Sequence, residues 1–314
     1  MWKKSIQNGL MNGLKTTWTL GKIIFPVTLI VTLLQHSPIL PWVIEQVSPL
    51  MVLLGLSGEA AIPLVLGNLL NLYAGIGAIL SLELTVKEVF IIAVMLSFSH
   101  NLLIESGVAL KSGVKLWVIL TVRLGLAIIS AVIINFVWQG GSEVAKYGLV
   151  PTNESVAEGF LEIFLAGIMK ASTGVFQLAI IVIPLMIGIQ ILKDLQWLNI
   201  FSRWMAPVTR IFGMKENTSL TLTAGLIFGL AFGAGVLLQS IKEDGVSKKD
   251  ATIAFIFLIA CHAVIEDTLI FVPLGIPVLP LLLIRIVTAI LLTFIVGNIW
   301  NKIAETERKG VTSY

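Results

Sequence analysis

Two apolar stretches of this chain contain histidine and carboxylate side chains, which can bind protons, cations or polar solutes. They are FSHNLLIESG, residues 98–107, and IACHAVIEDT, residues 259–268. Ionisable side chains are costly at membrane depth, so they mark candidate functional sites. At an offset of 162 residues, His100 aligns with His262 and Glu105 aligns with Asp267. This pairing indicates an internal duplication and locates the candidate site.

The arginines that follow these acids repeat at the same offset, because Arg123 aligns with Arg285. Each half is therefore expected to form its own buried acid–arginine pair, Glu105 with Arg123 and Asp267 with Arg285. Such pairs would hold two helices together, and a structural role is the favoured interpretation.

Two other acids have no acidic counterpart in the opposite half. Glu266 aligns with Ile104, and Glu59 aligns with Asn217. A group that is present in one half only is not explained by a duplicated scaffold. We therefore predict that Glu59 and Glu266 bind a coupling proton or cation.

Histidine at these positions has two interpretations. Glu266 follows His262 by four residues, so the pair is predicted to share a helix face and bind a proton, a divalent cation or a polar substrate group. The alternative is a histidine hydrogen-bonded between helices. That alternative is favoured slightly for His100, because Glu105 at i+5 is not on its helix face.

A second group of polar residues lies in the segment 55–79. Glu59 is placed where a helix N-terminus favours an anion. Asn68 and Asn71 are three residues apart, on one predicted helix face, and could hydrogen-bond a substrate or exposed backbone. The alternative is a capped helix with asparagine as packing residues. Gln239 is the nearest comparable amide in the second half.

Two candidate ligand sets follow from these positions. The predicted substrate-binding residues are Asn68, Asn71, His100, His262 and Gln239. The alternative divalent-metal ligands are His100, His262, Glu266 and Cys261, a mixed set of N, O and S atoms that suits a first-row metal. No other cofactor is predicted.

Composition places the chain in the class of polytopic membrane proteins. It has 314 residues, of which 57% are hydrophobic and 12% charged, against about 25% charged in soluble domains. The net charge of +3 is small, and the basic residues are scattered, so nucleic acid is not an expected partner. A single cysteine excludes an intrachain disulfide. No HExxH, P-loop, GxSxG or paired CxxC motif occurs, so the chain is not expected to be an enzyme.

Ten apolar segments alternate with short polar connections. They are residues 17–35, 41–55, 58–82, 87–109, 115–138, 164–192, 200–213, 217–240, 250–272 and 279–301. The segments 41–55 and 200–213 are shorter than a span of about 20 residues, which is typical of re-entrant segments or of segments that pack between other helices. The segments 58–82 and 217–240 are rich in glycine, which indicates close helix contact or a broken helix that lines a cavity.

The duplication extends over the whole chain and predicts its domain organisation. At an offset of 158, Pro26 aligns with Pro184 and Gly67 with Gly225; beyond four extra residues near 242–245 the offset becomes 162. We predict an all-α fold of two repeats with about five membrane segments each. The predicted regions are an interfacial amphipathic helix at 1–16, repeat 1 at 17–138, an extracytoplasmic linker at 139–163, repeat 2 at 164–301 and a cytoplasmic tail at 302–314.

Loop charges predict the orientation of the chain. The loop 139–160 carries three glutamates against one lysine, while most basic loops fall on one side if each half crosses five times. The positive-inside rule then places both termini in the cytoplasm, in the inner membrane of a prokaryote. Five crossings would make the halves inverted. If the two short segments do not cross, the halves would be parallel instead.

Three strings resemble a known family. GLSGEAAIPLVLGN, residues 55–68, resembles the gate motif of the nucleoside-recognition superfamily; LLIESGV, residues 102–108, and VIEDTLIF, residues 264–271, resemble its acidic motifs. That superfamily includes the membrane part of ferrous-iron transporter B, spore maturation proteins A and B, and relatives of concentrative nucleoside transporters. The chain departs from the iron transporter, because it has asparagines where that gate carries a cysteine and has no GTPase domain.

The resemblance implies a gate-type membrane protein, and the predicted function is transport of a small polar solute, nucleoside-like or an organic anion, or of an ion. The site would lie between the repeats and would be coupled to protons or cations. One alternative is a divalent-metal permease, and another is a non-transporting membrane protein that assembles with a partner. The expected partners are the lipid bilayer, the solute, and a second copy of the chain or another membrane protein.

Overall fold

The structure is a computed structural model that describes residues 2–147, 159–195, 197–231 and 233–311. Helices form almost all of this part of the chain. These residues contain fourteen α-helices and no β-strand, apart from an isolated antiparallel bridge between Thr85 and Val144. The all-α prediction is confirmed for this part of the chain.

The helices of the two halves follow one another in the same order. The first half contains α1 (Trp2–Gln35), α2 (Ile39–Leu53), α3 (Ala61–Leu69), α4 (Leu72–Ile79), α5 (Val86–Ser99), α6 (Leu102–Lys111) and α7 (Leu116–Val137). The second half contains α8 (Phe160–Asp194), α9 (Trp197–Ile211), α10 (Ser219–Phe228), α11 (Ala234–Glu243), α12 (Lys248–Ala260), α13 (Glu266–Leu269) and α14 (Val278–Val311). A short 3-10 turn precedes α3 and α10. This order is what an internal duplication predicts.

Fewer helices could cross a membrane than the ten apolar segments suggested. Among the described residues, five helical stretches are long and apolar enough: Trp2–Gln35, Val86–Lys111, Leu116–Val137, Phe160–Leu192 and Val278–Lys302. The second of these comprises α5 and α6. A sixth candidate is the pair Ile44–Leu53 and Gly58–Leu69, which bends by 92°. The glycine-rich segments do not run as single helices, since 58–82 is split into α3 and α4, and 217–240 into α10 and α11.

Helices continue across the predicted boundaries at both ends of the chain. A single helix runs from Trp2 to Gln35, without a break between the predicted interfacial helix at 1–16 and the first span. At the other end, α14 continues to Val311, beyond the predicted start of the tail at residue 302. Residues 148–158 of the predicted linker lie outside the described part of the chain.

The chain divides into two compact units. Unit 1 comprises Met1–Leu103, Gly125–Asp194 and Glu266–Leu281, and unit 2 comprises Ile104–Leu124, Leu195–Ile265 and Leu282–Tyr314. Each unit therefore takes segments from both halves of the sequence. Side chains from the two halves of the sequence therefore contact one another within each unit.

Unit 1 is built on the contact between α1 and α8, the first helices of the two halves. A Cβ atom on Gly9 would lie 2.6 Å from the Cα of Ile187, and one on Gly13 would lie 2.9 Å from the Cα of Ile183. Advancing along α1 thus means moving back along α8, so the helices are antiparallel. The Gly-x-x-x-Gly spacing allows the backbones this close approach.

Unit 2 has its own close helix contact, between α14 and the end of α9. A Cβ atom on Gly297 would lie 2.1 Å from the carbonyl oxygen of Phe212. The Phe212 ring packs against Phe257 of α12, with ring centroids 5.4 Å apart. Glycine at position 297 is therefore required for α14 to reach this position.

Candidate functional site

Each half contains a helix that ends just before its histidine, α5 at Ser99 and α12 at Ala260. After α5, Asn101 adopts a left-handed φ of 53° and its N–H donates to the Gly67 carbonyl at 2.9 Å. After α12, Ala263 adopts a φ of 40° and its N–H donates to the Gly225 carbonyl at 3.1 Å. These positions are aligned by the duplication, so the same backbone contact is built twice, once in each unit.

The two histidines are oriented by the same contact. His100 Nδ1 lies 2.6 Å from the Leu96 carbonyl oxygen, and His262 Nδ1 lies 2.7 Å from that of Leu258. A carbonyl oxygen only accepts, so Nδ1 carries the hydrogen in both rings and Nε2 is directed away from the helix. A carbonyl in the last turn of the helix before each histidine therefore fixes which ring nitrogen is available for chemistry.

His262 and Glu266 do not share a helix face. α12 ends at Ala260 and α13 begins at Glu266, so the i,i+4 spacing does not lie on one helix. Arg285 donates to the His262 carbonyl, which satisfies a backbone acceptor that the break leaves without a helical partner. The predicted shared face is wrong because a buried arginine and the left-handed residue after His262 stabilise a turn instead.

Asn68 and Asn71 do not share a helix face either. Asn68 lies in the last turn of α3, where its Nδ2 donates to the Leu64 carbonyl at 2.7 Å. Asn71 lies after the break and caps α4, with its Oδ1 accepting from the Ala74 N–H at 3.0 Å. Asn71 thus has the capping role that the sequence left open as an alternative.

In unit 2, Glu105 contacts both an arginine and a histidine. Arg123 Nη1 lies 2.8 Å from Glu105 Oε2, and His262 Nε2 lies 3.5 Å from Glu105 Oε1. Arg123 is fully buried and Glu105 is 2% exposed. Removing either partner of such a pair would leave an uncompensated charge in a medium of low dielectric constant.

The other predicted ion pair involves both units. Asp267 lies on α13 in unit 1, and Arg285 lies on α14 in unit 2. Both side chains are buried. Their pairing stays a prediction.

In unit 1, Glu266 accepts a hydrogen bond from the Tyr73 hydroxyl. Both side chains are buried, with 7% of Tyr73 and 6% of Glu266 exposed. A ring nitrogen of His100 lies within 4.8 Å of an Asp267 carboxylate oxygen, and Glu266 interacts electrostatically with both of these residues. A buried phenol and a buried acid–histidine pair therefore converge in one unit.

The exchange of partners between the halves is systematic. His100, from the first half, lies beside Asp267 from the second, and His262, from the second half, lies beside Glu105 from the first. The two acid–histidine pairs are thus equivalent under the duplication, but Tyr73–Glu266 is not. We call Asn68, Tyr73, His100, Asn101, Glu266 and Asp267 the unit 1 polar cluster.

The remaining predicted site residues lie on other parts of the structure. Glu59 is half-buried in the 3-10 turn before α3, near a helix N-terminus as expected. Gln239 is exposed on α11 and donates to Glu243 at 2.8 Å. Cys261 is buried at the end of α12, next to His262 in sequence. Gln239 belongs to unit 2 and has a hydrogen-bond partner on its own helix.

The sequence reading missed Tyr73 and Asn101, although the signal that identified Glu266 would have found both. Tyr73 aligns with Ala231 at the offset of 158, and Asn101 aligns with Ala263 at the offset of 162. Polar residues that lack a polar counterpart in the other half thus occur at several positions of the unit 1 polar cluster.

Comparison with known proteins identifies the family. A family model described as nucleoside recognition, Gate, matches residues 17–115 and 175–288, which is more than half of the chain. The chain belongs to this Gate family. The two matched ranges begin 158 residues apart, at the offset of the duplication. The Gate family assignment confirms the resemblance of the three sequence strings.

One relative extends the comparison over nearly the whole Gate protein. It is "Uncharacterized membrane protein YvoD" of Bacillus subtilis (strain 168), which is 60% identical over 300 residues that cover 96% of each chain. No solved structure matches the chain. The family, the relative and the apolar helices together identify a membrane protein.

Proposed function

We propose that this Gate-family protein transports a small polar solute or an ion across the cytoplasmic membrane of a prokaryote, with both termini inside and with proton or cation coupling at Glu266. The observation that carries the proposal is the buried hydrogen bond between Tyr73 and Glu266. Glu105, by contrast, has a structural partner in Arg123.

The burial of the Glu266 carboxylate requires an explanation, because burying an ionisable group costs several kcal/mol unless it is paired or hydrated. The duplicated scaffold does not explain it, since the counterpart of Glu266 is Ile104 and the counterpart of Tyr73 is Ala231. Tyr73 and Glu266 are hydrogen-bonded to each other and each occurs in one half only. This arrangement is expected of a substrate or coupling site rather than of the duplicated scaffold.

The helix contacts of unit 1 support an inverted arrangement of the repeats. α1 and α8 are counterparts under the duplication and pack antiparallel to each other. Equivalent helices that run in opposite directions are expected of inverted repeats, which in many secondary transporters alternate access to a central site. A parallel duplication would give these two helices the same direction.

Uptake into proteoliposomes tests the coupling residue. We would measure accumulation driven by an imposed proton or sodium gradient, and exchange at equilibrium without a gradient, for solutes from a panel of nucleosides, amines, carboxylates and divalent cations. Glu266→Gln keeps the size of the side chain but cannot release a proton, so accumulation should be lost while exchange remains. Glu243→Gln, an exposed carboxylate on α11, is the matched control.

The same experiment distinguishes the alternatives. Accumulation and pH dependence unchanged in Glu266→Gln would refute the coupling role. Uptake of a divalent cation alone, lost in His100→Ala, would favour the metal permease. An intact protein that moves nothing in the panel and co-purifies with another membrane protein in a fixed ratio would favour the non-transporting alternative.

A further inference from the structure

We infer that Asn101 is a solute-binding residue, whose side-chain oxygen accepts a hydrogen bond from an N–H or O–H group of a neutral or cationic polar solute. The inference rests on the proposed function and deepens it, because it names a binding residue and the chemistry of the ligand. Asn101 lies in the turn between α5 and α6, directly after His100.

Asn101 carries a buried polar atom without a partner. The residue is 8% exposed, and its Oδ1 makes no hydrogen bond among the described residues. Buried polar side-chain atoms are nearly always hydrogen-bonded, so an exception in a native protein needs an explanation. A ligand that donates a hydrogen bond would satisfy this oxygen.

The fold of the helix break does not explain the amide. The left-handed conformation is one that asparagine tolerates well, but the equivalent residue in unit 2 is Ala263, with a φ of 40°. Ala263 makes the same backbone hydrogen bond, to Gly225, that Asn101 makes to Gly67. A methyl side chain is therefore sufficient for this turn, and the amide at position 101 has a different role.

A second unpartnered amide oxygen adjoins the same backbone contact. Asn68 follows Gly67, the acceptor of the Asn101 N–H. Its Nδ2 donates to the Leu64 carbonyl, which fixes the orientation of the amide, and its Oδ1 is buried without a partner. The counterpart of Asn68 in the other half is Leu226, so this amide is also specific to unit 1.

The character of the cluster indicates the ligand class. Both unpartnered atoms are oxygens that only accept, and the carboxylates of Glu266 and Asp267 are acceptors or negative charges. A dicarboxylate such as succinate offers no donor to these atoms when ionised, and its charge would be repelled by the carboxylates. A solute with hydroxyl, amide or amine donors, such as a nucleoside or an alkylamine, would satisfy them.

Binding to the detergent-purified full-length protein tests the inference. The probes are uridine as a neutral donor-rich solute, putrescine as a cation and succinate as an anion, with Kd measured by calorimetry. Asn101→Gly removes the amide and adopts the left-handed φ without strain. Ala263→Gly makes the same backbone change at the equivalent position of unit 2 and is the matched control.

We expect uridine or putrescine to bind the wild-type protein, and Asn101→Gly to raise its Kd by on the order of tenfold, as loss of one hydrogen bond predicts. Ala263→Gly should leave the Kd unchanged. Asn101→Ala, which places at 101 the side chain tolerated at 263, should weaken binding equally. This second variant keeps the test valid if the glycine variant folds poorly.

The inference is overturned if both Asn101 variants bind as the wild type does, if succinate is the only ligand, or if none of the three probes binds. Uptake of the bound solute is measured separately in proteoliposomes. Asn101-dependent binding without uptake would refute the proposed transport and leave the inference standing. Uptake with a Kd that is insensitive to Asn101 would do the reverse.

Discussion

Removal of the Arg123 side chain should strongly destabilise the protein. Arg123 is fully buried and its Nη1 lies 2.8 Å from the carboxylate of Glu105, which is 2% exposed. Arg123→Ala leaves that carboxylate without its arginine and opens a cavity in unit 2. Breaking a buried pair by removing one partner costs about 3–5 kcal/mol. This corresponds to roughly two to four orders of magnitude in the unfolding equilibrium, at about 1.4 kcal/mol per factor of ten.

Replacement of both charges should have a much smaller effect. The double variant Glu105→Leu, Arg123→Met removes the unpaired charge and fills most of the volume with apolar atoms. Since the desolvation cost of a buried pair often matches its Coulombic gain, we expect stability within about 1 kcal/mol of the wild type or above it. In a double-mutant cycle, the stability changes of the two single variants should therefore be strongly non-additive.

Titration with SDS in mixed micelles, followed by the fluorescence of the eight tryptophans, measures these differences. Arg210→Ala is the control, because the Arg210–Glu216 pair is 69% and 49% exposed and such a pair contributes at most about 1 kcal/mol. A loss in Arg123→Ala no larger than that of the control would refute the reasoning. A double variant as unstable as Arg123→Ala would refute it too.

Two further predictions concern packing and the unmatched tyrosine. Gly297→Ala places a Cβ atom 2.1 Å from the carbonyl oxygen of Phe212, so it should lower the SDS midpoint clearly, whereas Gly125→Ala, with nothing within 4 Å, should leave it unchanged or raise it slightly. Equal midpoints for the two variants would contradict the close approach. Tyr73→Phe removes the hydrogen bond to Glu266 and should shift the pH dependence of gradient-driven uptake without unfolding the protein; a pH profile like that of the wild type would show that the bond has no part in coupling.

The duplication could be found from the sequence because it rests on residue types that apolar composition does not produce by chance. Gly67 and Gly225 illustrate this: a Cβ atom would lie 2.5 Å from the Leu96 side chain in one unit and 2.4 Å from that of Leu258 in the other. A close approach of this kind requires glycine, so glycine occurs at both aligned positions of the sequence. The acid without a counterpart was visible in the same way.

The helix breaks beside His100 and His262 could not be predicted, and several site hypotheses depended on them. The apolar sequence of residues 250–272 predicted one continuous helix, but a turn separates Ala260 from Glu266. That turn depends on Arg285, which is 23 residues from His262 in sequence and donates to its carbonyl. Local spacing carries no information about a donor that arrives from a distant helix.

The sequence by itself determined the membrane class, the Gate family motifs, the two equivalent halves and the residues that break their equivalence. These are properties of composition and of aligned positions, and both are local in the chain. Only the tertiary structure decided that the two halves exchange segments, so that Glu105 lies beside His262 and Tyr73 donates to Glu266. The physical reason is that the free energy of a buried polar group depends on its partner, and for these groups the partners lie 157 and 193 residues away in the chain.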